Sequence, residues 1–171
     1  MKIIVPLLLS ASLASLPIYA QQTLNDAQIA AIVVVANQVD IDAGQYVVAK
    51  TKNPDVTRFA ATMVTDHSAV NKSAVDLVTK LRVTPEENET SRSLKDGGDN
   101  NLAQLRALKG KALDRAYIDH EVAYHEQVIR ALDTALIPNA SNSELKALLI
   151  KVRPAFVEHL GHARHLQASY K

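Results

Sequence analysis

The chain has 171 residues, 47% hydrophobic and 22% charged, with a formal net charge of +1. These values fit one folded domain and exclude a disordered, fibrous or disulfide-built chain, and the near-zero charge leaves no basic footprint for nucleic acid. The absence of Cys removes disulfides, thiolate metal sites, iron–sulfur clusters, a thiol nucleophile and a lipoprotein anchor. Aromatics are only 4%, with no Trp, and there are only five Gly and six Pro. Sandwiches and barrels need strand-forming aromatics and frequent turns, so the composition favours an all-α fold.

Residues 1–20 read as a secretory signal peptide. Lys2 precedes an apolar run from Ile3 to Leu16, and Pro17 and Ala20 precede Gln21 and Gln22. Charge, apolar stretch and small residue in that order mark a cleavable signal, with cleavage expected after Ala20. The alternative is a transmembrane anchor, but the run falls short of the roughly 20 residues that span a bilayer. Cleavage removes one Lys and no acid, so the remaining domain, residues 21–171, is neutral. Export without Cys points to the bacterial periplasm, and no membrane span is expected after signal removal.

The remaining sequence divides at its turn signals into four segments of helical length. The first runs from about Asp26 to Thr51 and stops at Lys52-Asn53-Pro54, where Asn53 can cap a second helix and Pro54 can take its first position. The second helix runs to about Arg82. A polar connection from Val83 to Gly110 follows, with Pro85, the acidic cluster Glu86, Glu87 and Glu89, and Gly97-Gly98. It is expected to be irregular at first, with a short helix near Asn101 to Lys109. The third helix covers about Lys111 to Ile137 and breaks at Pro138-Asn139. The fourth starts with Ser141 or Ser143 as cap and runs to near Tyr170, with a kink expected at Pro154.

The connection lengths set the topology. Short links make the first two and the last two helices antiparallel hairpins, whereas the long one can climb the height of a bundle. This is a ferritin-like four-helix bundle with a crossover between helices two and three. The alternative is a plain up-and-down bundle with a mobile loop.

Ionisable residues interrupt the apolar stripes. At about 100° per residue, Asp40 falls within the first-helix stripe Ile29, Val33, Ala36, Ala43 and Val47. His67 falls within Val56, Ala60, Met63, Val70, Ala74 and Leu81. In the third helix, Ile118, Val128 and Leu132 share a face with Asp114, Glu121 and His125, with Tyr117 at its edge. The fourth places His159 among Leu148, Val152, Ala155 and Leu166. Asp42, Glu158 and His165 point outward, and His120 lies off the stripe.

With the crossover topology, a rise of 1.5 Å per residue puts Asp40, His67, His125 and His159 at roughly 17–21 Å from one end of the bundle. Buried charges pair with one another or bind a metal. Three imidazoles and a carboxylate on facing helices suit one divalent ion (Zn, Cu, Fe or Mn), with Glu121 as a further or orienting group. The alternative is a metal-free His/carboxylate network, with Tyr117 or Tyr124 as partners. No di-iron motif is present: Glu-x-x-His occurs nowhere, and Glu121/His125 and Glu158/His162 are spaced by four. His162 and His165 are expected to be solvated or to support the site, and the acidic cluster to be a solvated loop. No nucleophile elbow or phosphate loop appears.

With these residues in view, the chain resembles the bacterial domain-of-unknown-function family 4142. The resemblance rests on Phe59-Ala60 through Met63 to Asp66-His67, on Gly110 with Asp114, Tyr117 and His125, and on Pro154 with His159-Leu160. It implies a ferritin-like bundle in the envelope and supplies no reaction. The expected function is metal binding through His67, His125 and His159, assisted by Asp40 and Glu121, with a stress or metal-handling role. Two alternatives stand beside it: a metal-free structural or interaction module, and an oxidoreductase with a mononuclear centre.

Overall fold

The computed structural model describes residues 23–170, so the expected signal peptide and its cleavage point lie outside the described residues. The order is α1 (Asp26–Lys50), α2 (Pro54–Leu81), α3 (Glu89–Ala107), α4 (Gly110–Ala131), a π-helical turn (Leu132–Leu136), α5 (Ile137–Asn139) and α6 (Ser143–Ala168). The fold is an all-α bundle in which α1–α2 and α4–α6 are hairpins. No strand occurs among the described residues, and no helix among them is long and apolar enough to cross a membrane.

The starts of the long helices are largely written in Asn. Asn25 forms a capping box with Gln28, and Asn53 accepts from Asp55 and Val56 ahead of Pro54. Asn142, one residue from either expected Ser, accepts from Glu144 and Leu145 at the start of α6. Each amide oxygen satisfies N–H groups that the first helical turn leaves without partners.

Both bundle ends are tied in the way the crossover topology requires. At one end, Thr51 Oγ1 donates to Asp114 Oδ1 at 2.6 Å, and Asn53 Nδ2 donates to the Tyr170 hydroxyl at 2.7 Å. The end of α1 and the starts of α2 and α4 therefore meet the end of α6. At the other end, the N–H groups of Ser141 and Asn142 donate to the two Asp26 carboxylate oxygens, both at 2.9 Å. Lys80 there pairs with Glu144.

The crossover is more helical than the expected irregular start and short helix near Asn101 to Lys109: the 19-residue helix α3 begins already at Glu89 and ends at Ala107. Arg82, at φ 54°, ends α2 in the left-handed region, and the N–H of Glu86 donates to Ala27 O, fixing the connection on the start of α1. Asn88 and Ser91 then cap each other across the first turn of α3. Gly97-Gly98 read as a loop signal because glycine costs a helix about 1 kcal/mol against Ala. Its use here is steric. A Cβ on Gly98 would lie 2.5 Å from Val39 Cγ2, so only glycine lets α3 sit this close to α1. Gly110, at φ +55°, makes the turn into α4.

Two further boundaries differ. Ordinary α-helical register stops at Ala131, where the N–H of Ile137 reaches back five residues to Leu132 O, and Pro138-Asn139 falls inside α5 instead of breaking the helix. In α6 the buried face is Leu145, Leu149, Phe156, His159, Leu160, Ala163 and Leu166; Leu148, Val152 and Ala155 are only half-buried. Pro154 lies inside a continuous α6.

The core is divided. One cluster, around Phe59, Met63, Leu113 and Tyr117, lies toward the Thr51 end, and another, around Ile29, Leu132, Leu149 and Phe156, lies toward the Asp26 end. Between them lie buried Asn37, Asp40, His67, Glu121, His125 and His159.

Candidate metal centre

Four helices bring these groups together at mid-height. The expected residues Asp40, His67, Glu121, His125 and His159 are all buried, at 5% exposure or less. Asp40 Oδ2 lies 3.2 Å from His67 Nε2 and 3.7 Å from His125 Nε2. Glu121 Oε2 lies 3.5 Å from His125 Nδ1, one turn along α4. Ring centroids of His67, His125 and His159 are 5.3–5.6 Å apart in each pairing. Two overlapping sets emerge, His67–His125–His159 and Asp40–Glu121–His125, and in each the ligand atoms lie within 4.8 Å of one another.

Hydrogen bonds fix which nitrogen of each imidazole is free. Asn37 Nδ2 donates to Val33 O at 2.7 Å, which turns Asn37 Oδ1 toward His67 Nδ1 at 2.8 Å. An acceptor there places the proton on Nδ1 and leaves the lone pair on Nε2. His125 Nδ1 faces the Glu121 carbonyl at 3.0 Å, with the same result. His159 has the opposite arrangement, its Nε2 facing Asp66 Oδ2 at 2.9 Å. The remaining nitrogens, His67 Nε2, His125 Nε2 and His159 Nδ1, have no hydrogen-bond partner, nor do the carboxylate oxygens of Asp40 and Glu121.

Burial sets the charge state. Loss of water raises Asp40 from its ordinary 3.8 to about 8 and pushes Glu121 well above the carboxylate range, with Asp40 adding to the rise. The same cause lowers His125 to about 4 and His67 well below 6.5, helped by the neighbouring imidazoles. At neutral pH the His67 and His125 rings are therefore uncharged. No Lys or Arg pairs with any of these groups among the described residues.

Sequence reasoning missed two orienting groups, Asn37 and Asp66. Asn37 sits one turn before Asp40, on the stripe's edge; Asp66 adjoins His67, and 45% of its side chain stays exposed. An Asn on a buried stripe was the available signal for the first, whereas nothing along α2 alone links Asp66 to a ring on α6. Asp114 is buried but belongs to the Thr51 end. Tyr117 has an unpartnered hydroxyl beside the core, and Tyr124 donates to Ala36 O at 2.8 Å. His162, His165 and Glu158 are exposed, and so is the acidic cluster Glu86, Glu87 and Glu89.

The family model for a domain of unknown function, DUF4142, matches residues 13–166. The chain belongs to the DUF4142 family. No curated protein matches this DUF4142 chain. A solved structure with a similar fold is CopM in the Cu(II)-bound form, with a TM-score of 0.67, 12% identity, and coverage of 88% of this chain and 100% of that one. At that identity the likeness concerns the fold of the DUF4142 bundle.

Proposed function

We propose that the protein is an exported, periplasmic bundle that holds one divalent metal ion at mid-height through His67, His125 and His159, with Asp40 and Glu121 assisting. The observation that carries the reading is the convergence of three imidazole lone pairs, each left free because its ring's other nitrogen is held by Asn37, Glu121 O or Asp66. Metal-binding imidazoles are oriented in this way, by a hydrogen bond from the second nitrogen to a carboxylate, amide or carbonyl.

Charge supports the same reading. Asp40 and Glu121 together carry two negative charges when ionised, and no basic side chain is paired with them. A 2+ ion would balance them inside the bundle, where unpaired charge is costly. Nitrogen and oxygen donors suit Zn2+, Cu2+, Fe2+ or Mn2+, and for such donors affinity is greatest at Cu2+. CopM, of similar fold, was solved with Cu(II), so Cu2+ and Zn2+ are the first ions to titrate. Bound there, the ion would supply Lewis acidity, or redox chemistry if it is Cu or Fe, while the chain orients the rings and excludes water. A stress or metal-handling role in the envelope follows from this reading, and export rests on the Met1–Ala20 pattern.

A second reading, a metal-free structural or interaction module, is favoured by the 3.2 Å approach of Asp40 to His67, which can close as a hydrogen bond without any ion. Elemental analysis of untagged protein separates the two. Stoichiometric metal that disappears in the His67→Ala, His125→Ala double variant supports the first reading; equal, negligible metal in both leaves the second.

A further inference from the structure

Beside the centre, toward the Asp26 end, lies a cavity of about 180 Å³. Its mouth is marked by Thr90 of α3 and Gln127 of α4, both exposed, and its floor by buried Phe156, His67 and Asn37. The walls between them are aliphatic, from Ile32 and Val33 of α1 to Leu94 of α3 and Leu136 of the π-helical turn. The ring of His67 lies flat on that of Phe156, with centroids 5.1 Å apart and planes 5° apart.

With one exception, the polar groups at the inner end are already partnered. Asn37 donates to Val33 O and faces His67 Nδ1, and Tyr124, also in the wall, donates to Ala36 O. His67 Nε2 alone among these inner groups lacks a partner, and a water needs two to four polar partners. Apolar cavities of about 150 Å³ stay dry and accept a single aromatic ring. The space exists because Ala36, Ala131 and Ala135 present only methyl groups to it, and because the π-helical turn carries Leu132, Ala135 and Leu136 along one wall. Such turns recur at functional sites.

We propose that this cavity is a binding site for a small, uncharged, apolar molecule of single-ring size, seated with its inner edge against the Phe156–His67 pair. The site is complete without an ion, so it stands apart from the metal reading. Its position against the His67 ring, on the Asn37 side, means that an occupant touches the group that orients a candidate ligand.

The experiment uses the chelator-treated folded protein, titrated with toluene and, as a charged control of similar size, benzoate. The expected result is a saturable rise in Tm with toluene and shifts in the NMR signals of the His67 ring and of methyl groups lining the cavity, with benzoate at least tenfold weaker. Ala135→Phe should fill the space and weaken toluene at least tenfold; Ala131→Leu, a smaller intrusion, serves if the first variant does not fold. Failure of toluene to bind the parent saturably, undiminished binding in a folded cavity-filling variant, or benzoate binding as tightly as toluene would each overturn the proposal. Metal content measured on parallel samples reports on the ion site alone.

Discussion

Asp40 Oδ2 and His67 Nε2 lie 3.2 Å apart, and neither atom has a hydrogen-bond partner elsewhere. With the Asp40 carboxyl raised to about 8 and the imidazole pushed well below 6.5, the proton at neutral pH sits on the acid. Engaging Asp40 with an ion must therefore release that proton. Calorimetry in buffers of different ionisation enthalpy should show proton release accompanying uptake, with affinity still rising from pH 6.5 to 8. Uptake without any proton exchange across that range would remove Asp40 from the ligand set.

The same shifts govern stability without metal, and they act in opposite directions. For Asp40, folded pKa above unfolded, the stabilising contribution is fully present below about 3.8 and is lost as pH rises through about 8. For His125, folded pKa below unfolded, it is present above 6.5 and is lost as pH falls through about 4. Thermal melts of chelated protein should therefore peak at intermediate pH. Asp40→Asn should flatten the alkaline side, and an unchanged alkaline slope in that variant would refute the assignment.

Asp66 holds His159 from a half-exposed position, so its removal leaves little buried charge unpaired. Asp66→Ala should lower ion affinity roughly 10–100-fold, the usual cost of losing an orienting partner, while the metal-free Tm changes little. Isothermal titration and a melt of the chelated variant check both halves. Wild-type affinity in the variant would show that His159 needs no such support.

Gly97 and Gly98 are adjacent but face different surroundings. A Cβ on Gly97 meets nothing within 4 Å, whereas on Gly98 it meets Val39 Cγ2, Cγ1 and Cβ at 2.5, 2.7 and 3.1 Å. Gly97→Ala should stabilise by about 0.5–1 kcal/mol through helix propensity, and Gly98→Ala should destabilise. Adding Val39→Ala to the second should recover part of the loss, since the crowding atoms are then gone. Denaturant melts of the four proteins give the answer directly.

Tyr117 carries a fully buried hydroxyl with no hydrogen-bond partner, and its ring packs on Phe59 at 6.0 Å. Tyr117→Phe keeps the packing and removes a desolvated polar group, so stability should hold or rise by about 1 kcal/mol. Phe59→Ala, by contrast, should cost roughly 3–5 kcal/mol. A large loss in Tyr117→Phe would reveal a bond that the hydroxyl makes in solution.

Topology was legible because it depends on link lengths, and Asn53-Pro54 and the long Val83–Gly110 stretch state those plainly. The burial of Asp40, His67, Glu121, His125 and His159 was legible because one polar residue inside an apolar stripe has nowhere else to go. What escaped depends on neighbours from other helices. Gly98 reads as a breaker until Val39 is placed against it, and Asp66 reads as a surface acid until His159 arrives from α6. The π-helical turn left no mark because its residues, Leu132 to Leu136, would suit an ordinary helix as well.

Helix α1 is packed against α2, α3 and α4, and its middle turns bury Asn37, Asp40, Ile41, Ala43 and Gly44 while Gln38, Asp42 and Gln45 face solvent. The buried side of those turns lies against neighbouring helices, beyond the reach of fraying at the helix ends. Exposing Asn37 and Asp40 then requires separation of whole helices, an event close to global opening, and their amide protons should be among the slowest in the molecule to exchange with deuterium. Whatever settles beside Asp40 would be held for as long as the bundle itself survives between such openings.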